Sequence, residues 1–243
     1  MVGRSGVPRT SAVRIVSVYP ELLGTYGDVG NVRVLERRLS WRGLDAEVLS
    51  VSVSDPLPTG GDLYVLGGGE DEAQQRALEG LRRSSLARAV AAGAQVFAVC
   101  AGLQLLGRSM AGVDGVVHEG LGLLDLTTSR LRERVIGEVL AATTTDIGLP
   151  VLTGFANHGG GTVLGPAAQP LATTTRGRGN DGRTGGPEGA VQGNVLATYL
   201  HGPVLARNPT LADWLLERAV GAALTPMPHD VADDLHDARA ARG

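Results

Sequence analysis

The chain has 243 residues, 43% of them hydrophobic and 19% charged, enough to bury a sizeable globular core. A formal charge of −3 and 3% aromatic content supply neither the basic footprint nor the stacking surfaces of a nucleic-acid binder. The single cysteine excludes an internal disulfide and fits a reducing, cytoplasmic setting, and no apolar run is long enough to cross a bilayer.

Residues 1–11 lack an apolar stretch and read as a loose lead-in rather than a signal peptide. Residues 12–225 read as one domain, and 226–243 as a polar, partly disordered tail. Val13-Arg14-Ile15-Val16-Ser17-Val18 is a β-branched run and predicts the first strand. Asp28 follows in a Gly-rich turn. From Val29 to Trp41, Val32, Leu35 and Leu39 recur at helical spacing, with arginines on the other face. Ala46 to Val53 alternates as a strand, and Asp62 to Leu66 is an apolar strand running into Gly67-Gly68-Gly69-Glu70-Asp71. Glu72 to Ala92 predicts one long amphipathic helix ending at Gly93. Val96 to Val99 predicts a buried strand, Cys100 a sharp turn, and Ala101 the start of another helix. Strands alternating with helices imply a parallel sheet covered on both faces, with ligands at the carboxyl ends of the strands.

The second half changes character. Residues 121–128, 134–143 and 161–164 predict short strands joined by turns, and 177–189 a mobile Gly-rich surface loop. Asn194 to Leu200 predicts a strand that delivers His201, and Leu211 to Val220 a closing helix.

Three strand ends therefore carry a thiol, a triple glycine and an imidazole. A thiol at such a turn is lifted out of the sheet and aimed at solvent. Beside a helix N-terminus it is favoured as thiolate, the nucleophilic form. An imidazole can take the thiol proton and return it to a leaving amine. The Ala101 N–H and a backbone N–H from Gly67–Gly69 are candidate oxyanion donors. Each piece has an ordinary reading, as a core cysteine, a tight turn and a structural histidine; together they point to thiol acyl transfer. Asn157-His158-Gly159-Gly160-Gly161 is either a second polar corner of the site or a hairpin turn. His118, His229 and His236 lack metal-ligand spacing with any cysteine, so no metal site is expected. No dinucleotide fingerprint or P-loop is present, so ATP is not expected on this chain.

Leu66-Gly67-Gly68-Gly69-Glu70-Asp71, Val99-Cys100-Ala101-Gly102-Leu103-Gln104-Leu105-Leu106-Gly107 and Tyr199-Leu200-His201-Gly202-Pro203 together resemble the class I glutamine amidotransferases. The resemblance is to the cobyric-acid-synthase type. Tyr26-Gly27-Asp28-Val29-Gly30-Asn31 and Gly154-Phe155-Ala156-Asn157-His158-Gly159-Gly160 bring it nearer to the GatD-type glutaminase subunits of lipid II isoglutaminyl synthases. That resemblance implies a three-layer, flavodoxin-like, mostly parallel α/β sheet. It implies Cys100 as the nucleophile on glutamine and His201 as base and then acid. Gln104 would lie at the glutamine pocket, and Arg134 would bind the substrate; among Arg130, Arg132 and Arg134 only the resemblance chooses. It implies a heterodimer with a Mur-ligase-like (MurT-type) synthetase that carries ATP and Mg and amidates D-glutamate of lipid II. No cofactor is expected on this chain. Pro203 stands where most of the class has a Glu that orients the histidine, so an aspartate from the partner is expected near His201. The alternatives are amidation of a cobyrinic-acid-like acceptor, a cysteine hydrolase acting on another substrate, or a non-catalytic binding subunit.

Overall fold

The computed structural model describes residues 11–112, 115–144 and 147–241, so all of the expected lead-in but Ser11 lies outside the described residues. In chain order the first half contains β1 (Val13–Val18), α1 (Val29–Ser40), β2 (Ala46–Val51), β3 (Leu63–Leu66), α2 (Asp71–Arg83), α3 (Leu86–Ala91), β4 (Gln95–Val99) and α4 (Ala101–Leu106). The second half contains β5 (Ser109–Ala111), β6 (Val117–Glu119), β7 (Leu126–Thr143), β8 (Leu152–Leu164), β9 (Ala172–Arg176), β10 (Pro187–Glu188), β11 (Ala190–Gln192), β12 (Val195–Thr198), β13 (Leu200–His201), α5 (Val204–Arg207), α6 (Pro209–Val220) and α7 (Val231–Ala240).

Two sheets organise these elements. The first has six strands in the order β11-β12-β4-β3-β1-β2, all neighbours parallel except β11 against β12. Every residue of β3, β4 and β12 is buried, as strands covered by helices on both faces must be. α1 packs on β1, β2 and α6, while α4 packs on β4, β12 and α2. Arg38 and Arg42 of α1 clamp Asp213 of α6, with Arg38 Nε and Nη2 each 2.6 Å from its carboxylate and Arg42 Nη2 at 2.7 Å. The second sheet, β10-β9-β7-β5-β6, also takes in β8, which pairs antiparallel with both β7 and β13. This largely antiparallel sheet is an addition to the expected parallel core. Among the described residues no helix is long and apolar enough to cross a membrane.

Several expectations are corrected. The single helix over 72–92 is two, broken where Ser84 is extended (φ −81, ψ 173). Ser84 Oγ donates to the Leu81 carbonyl at 2.7 Å and accepts the Leu86 N–H at 3.2 Å, the local competition by which serine ends helices. Residues 121–124 form no strand. Leu126 to Thr143 is one 18-residue strand with an irregularity between Arg130 and Val135, which hid its alternation. Residues 157–161 belong to β8, not to a hairpin turn. The loop 177–189 is pinned rather than free: buried Asn180 accepts the Gly189 N–H at 2.7 Å and donates to its carbonyl at 2.8 Å. The strand expected over 194–200 breaks at Tyr199, where the chain passes from the first sheet to the second. The tail contains α7, opened by a capping box at Asp230 and docked through buried His236, whose Nδ1 lies 2.9 Å from the Arg207 carbonyl oxygen.

Candidate active site

Cys100 sits between β4 and α4 with φ 52 and ψ −104, a region that non-glycine residues seldom occupy. Its N–H donates to the Thr198 carbonyl at 2.8 Å, which ties the turn to the end of β12. The sequence predicts a thiol aimed at solvent; the residue is instead 6% exposed, on the floor of a pocket. α4 runs directly on from it and packs on both β4 and β12, so the tight strand-to-helix turn buries the sulfur.

His201 arrives from β13, paired with Phe155 of β8. Its Nδ1 lies 3.1 and 3.2 Å from the two oxygens of Asp28, which is 1% exposed and also accepts the Gly68 N–H at 2.8 Å. Nδ1 therefore carries a proton, and Nε2, buried without a hydrogen-bond partner, is left for the reaction. Burial works against the charged ring, but Asp28 and then Cys100 outweigh it and hold the imidazole well above its ordinary range. The orienting acid thus comes from this chain, in the turn between β1 and α1, and not from the position of Pro203, which leads into α5. Asp28 fills the Nδ1 side of His201, near which an aspartate from a partner is expected.

The triple glycine serves close approach, not turn conformation: Gly67, Gly68 and Gly69 all lie outside the positive-φ region. A Cβ on Gly68 would come within 3.0 Å of His201 Cε1 and 3.1 Å of Asp28 Oδ2, and one on Gly67 within 2.0 Å of the Leu23 carbonyl oxygen. The Gly68 N–H is committed to Asp28, which removes it as an oxyanion donor. Ala101 and Gly69 do line the pocket with Cys100.

The opposite wall is polar. Arg134 Nε donates to Asn157 Oδ1 at 2.6 Å, and its Nη2 donates to the Tyr26 hydroxyl at 3.0 Å. Tyr26 in turn donates to Glu70 Oε1 at 2.8 Å, and its ring centroid stands 4.9 Å from that of His201. Burial, then Glu70, pushes the Tyr26 phenol up to about 12, so it remains a donor. Arg130 also lines the pocket, within 3.8 Å of Asp71, whereas Arg132 does not. Gln104 lines it too, but its Oε1 accepts from Gln74 at 2.8 Å and its Nε2 donates to Tyr199 at 3.1 Å. It braces the wall. His158 is part of the same wall and stacks on Tyr199, centroids 3.9 Å apart; burial pulls it down to about 4, which keeps it neutral. Of the remaining histidines, His229 pairs with Asp234 and His236 with the Arg207 carbonyl, and no cluster of three metal-ligating side chains occurs among the described residues.

Sequence reasoning missed Asp28, Tyr26 and Glu70 as site residues. The signal for Asp28 was an acid in a loop at the carboxyl end of a strand, beside the glycine and cysteine loops.

Residues 14–209 match the model of the CobB/CobQ-like glutamine amidotransferase domain. The chain is 33% identical to the GatD subunit of the glutamine-hydrolysing lipid II isoglutaminyl synthase of Staphylococcus aureus (strain N315), over 81% of this chain and 80% of that one. It is 32% identical to the GatD subunit of Streptococcus pneumoniae (strain ATCC BAA-255 / R6), over 86% and 80%. Against the cobyric acid synthase of Sphingopyxis alaskensis it is 36% identical over 73% of this chain but only 35% of that protein. Among solved structures, a glutamine amidotransferase shares the fold with a TM-score of 0.58 at 23% identity, covering 86% of this chain and 99% of the other. PurLQS from Thermotoga maritima does so at 0.55 and 17%, covering 86% and 94%. A thiol, an imidazole and a buried acid meeting at strand ends, on a chain matched over most of its length, place it in the CobB/CobQ-like glutamine amidotransferase family.

Proposed function

We propose that this chain is the glutaminase subunit of a lipid II isoglutaminyl synthase. Its substrate is L-glutamine, and its product ammonia passes to a partner. The Cys100 sulfur attacks the side-chain amide carbon, and the tetrahedral oxygen takes hydrogen bonds from pocket N–H groups such as that of Ala101. His201, having taken the thiol proton, gives it to the departing nitrogen, which leaves ammonia and a γ-glutamyl thioester. Water then loses a proton to His201 and attacks the thioester carbon; glutamate leaves and the sulfur regains its proton. Asp28 keeps the proton on Nδ1 throughout, so that Nε2 does the transfers.

The observation that carries this reading is the pocket mouth over Cys100, where Arg134 and Glu70 stand on either side of Tyr26. A guanidinium suits an α-carboxylate and a carboxylate suits an α-ammonium, so the mouth complements a free amino acid better than a peptide. The similarity to GatD subunits supports a Mur-ligase-like, MurT-type partner. That partner carries ATP and Mg, activates the α-carboxyl of D-glutamate in lipid II, and works in the cytoplasm; this chain supplies nitrogen only. Because ammonia protonates in bulk water, the partner should cover the Cys100 mouth.

The test is ammonia release from glutamine by the purified chain, with and without its co-purifying partner, beside Cys100→Ala. Release that depends on Cys100 and rises with the partner is expected. Absence of release in both states sinks the glutaminase reading, and equal turnover in both sinks the gating by the partner.

A further inference from the structure

The most deeply buried carboxylate that takes no part in the chemistry above, among the described residues, is that of Glu188. Glu188, at the end of β10, is 1% exposed. Its Oε1 accepts the Thr198 hydroxyl at 2.7 Å and the Tyr199 N–H at 2.8 Å, while Oε2 is buried without a hydrogen-bond partner. Thr198 Oγ1 in turn accepts the Leu200 N–H at 3.0 Å.

These contacts lie where the chain crosses between sheets. β12 ends at Thr198 and β13 begins at Leu200, so the two N–H groups of the crossing are taken by side chains. The carbonyl of the same Thr198 accepts the Cys100 N–H at 2.8 Å. Thr198 therefore joins the backbone of the nucleophile to the segment that delivers His201 three residues later, and Glu188 anchors Thr198. The loop 177–189 holds the anchor in turn: Asn180 grips Gly189 through both its N–H and its carbonyl, and the Asn180 N–H donates to the Pro187 carbonyl at 2.7 Å.

We propose that Glu188, presented by the loop 177–189, is a positioning residue for the Cys100–His201 pair, fixing the crossing at Thr198–Leu200 and with it the approach of imidazole to thiol. The inference rests on the reading of those two residues as a working pair. The role needs one accepting oxygen, not a charge, and burial does push the Glu188 carboxyl up to about 7. Glutamine at this position keeps the acceptor; alanine loses it and leaves the Tyr199 N–H buried and unpaired.

The experiment uses the full chain with its co-purifying partner, as wild type, Glu188→Gln, Glu188→Ala and Thr198→Val. Two quantities are read: kcat and KM for glutamine, and the pH dependence of iodoacetamide alkylation followed on this chain's own mass by mass spectrometry, which reports Cys100 alone because this chain has no other cysteine. Glu188→Gln is expected to keep the alkylation profile and to hold kcat within about threefold of wild type. Glu188→Ala and Thr198→Val are expected to lower kcat by roughly tenfold or more with KM little changed, and to change the pH dependence of alkylation. An unmoved alkylation profile in folded Glu188→Ala or Thr198→Val overturns the proposal, as does a tenfold loss in folded Glu188→Gln. Should Glu188→Ala not fold, Thr198→Val decides alone. Failure of the wild type to release ammonia refutes the glutaminase reading and leaves the alkylation test standing.

Discussion

Asp28→Asn tests the source of the orienting acid. Asp28 is buried, holds His201 Nδ1 at 3.1 and 3.2 Å, and accepts the Gly68 N–H at 2.8 Å. Asparagine has one accepting oxygen for these two donors. Its NH2 must face either the Gly68 N–H or the imidazole, and in the second case it forces the proton onto Nε2. A charge-assisted hydrogen bond is worth about 1.5–3 kcal/mol, and support of the imidazolium in the transition state adds to it. A total of about 3–4 kcal/mol corresponds to a fall in kcat of roughly 10²–10³. The native imidazole is raised above its unfolded value of 6.5, so its stabilisation is full below that value and fades as pH rises through the native one. The melting difference between wild type and Asp28→Asn should therefore be larger near roughly pH 6 than near pH 9. Ammonia release in the complex and melts at the two pH values are the assays. A variant within threefold of wild-type kcat, with a pH-independent melting difference, would refute the assignment and return the acid to the partner.

Three further outcomes are expected. Gly68→Ala places a methyl 3.0–3.1 Å from His201, Asp28 and Tyr26 and should lower kcat about 10²-fold, with folding seen intact by circular dichroism. Arg134→Lys loses the planar fork over the pocket mouth and should raise KM for glutamine roughly tenfold or more with a smaller change in kcat; an unchanged KM would remove Arg134 from substrate binding. Asp213→Asn leaves Arg38, whose side chain is 6% exposed, without its counter-charge. Because Asp213 is itself 23% exposed, the cost should be about 2 kcal/mol, or some 4–8 °C in a thermal melt.

Much of the first half of the molecule was legible because its signals are local. The run Val13 to Val18 and the stripe Val32, Leu35, Leu39 each state an element by composition or period, and the structure has them at those positions. Cys100 and His201 were legible because each ends an apolar strand. The second half obeys non-local rules. The irregularity between Arg130 and Val135 shifts the alternation of β7, so one strand reads as two fragments. Tyr199 continues an apolar run although it marks a change of sheet. Asp28 lies 173 residues from His201, and only the parallel order of β1, β3, β4 and β12 brings their loops together. Nothing in the glycines of 177–189 states that their loop is pinned; that depends on Asn180, an ordinary loop residue until its partner on Gly189 is known.

The backbone of Cys100 carries a further consequence. At φ 52 and ψ −104 an L-residue is strained by an amount typically put at about 1–3 kcal/mol, and glycine there is not. Cys100→Gly should therefore melt no lower than Cys100→Ala, although glycine makes the unfolded chain looser. The strand-to-helix turn thus holds its nucleophile in a conformation that carries a steric cost for any L-residue.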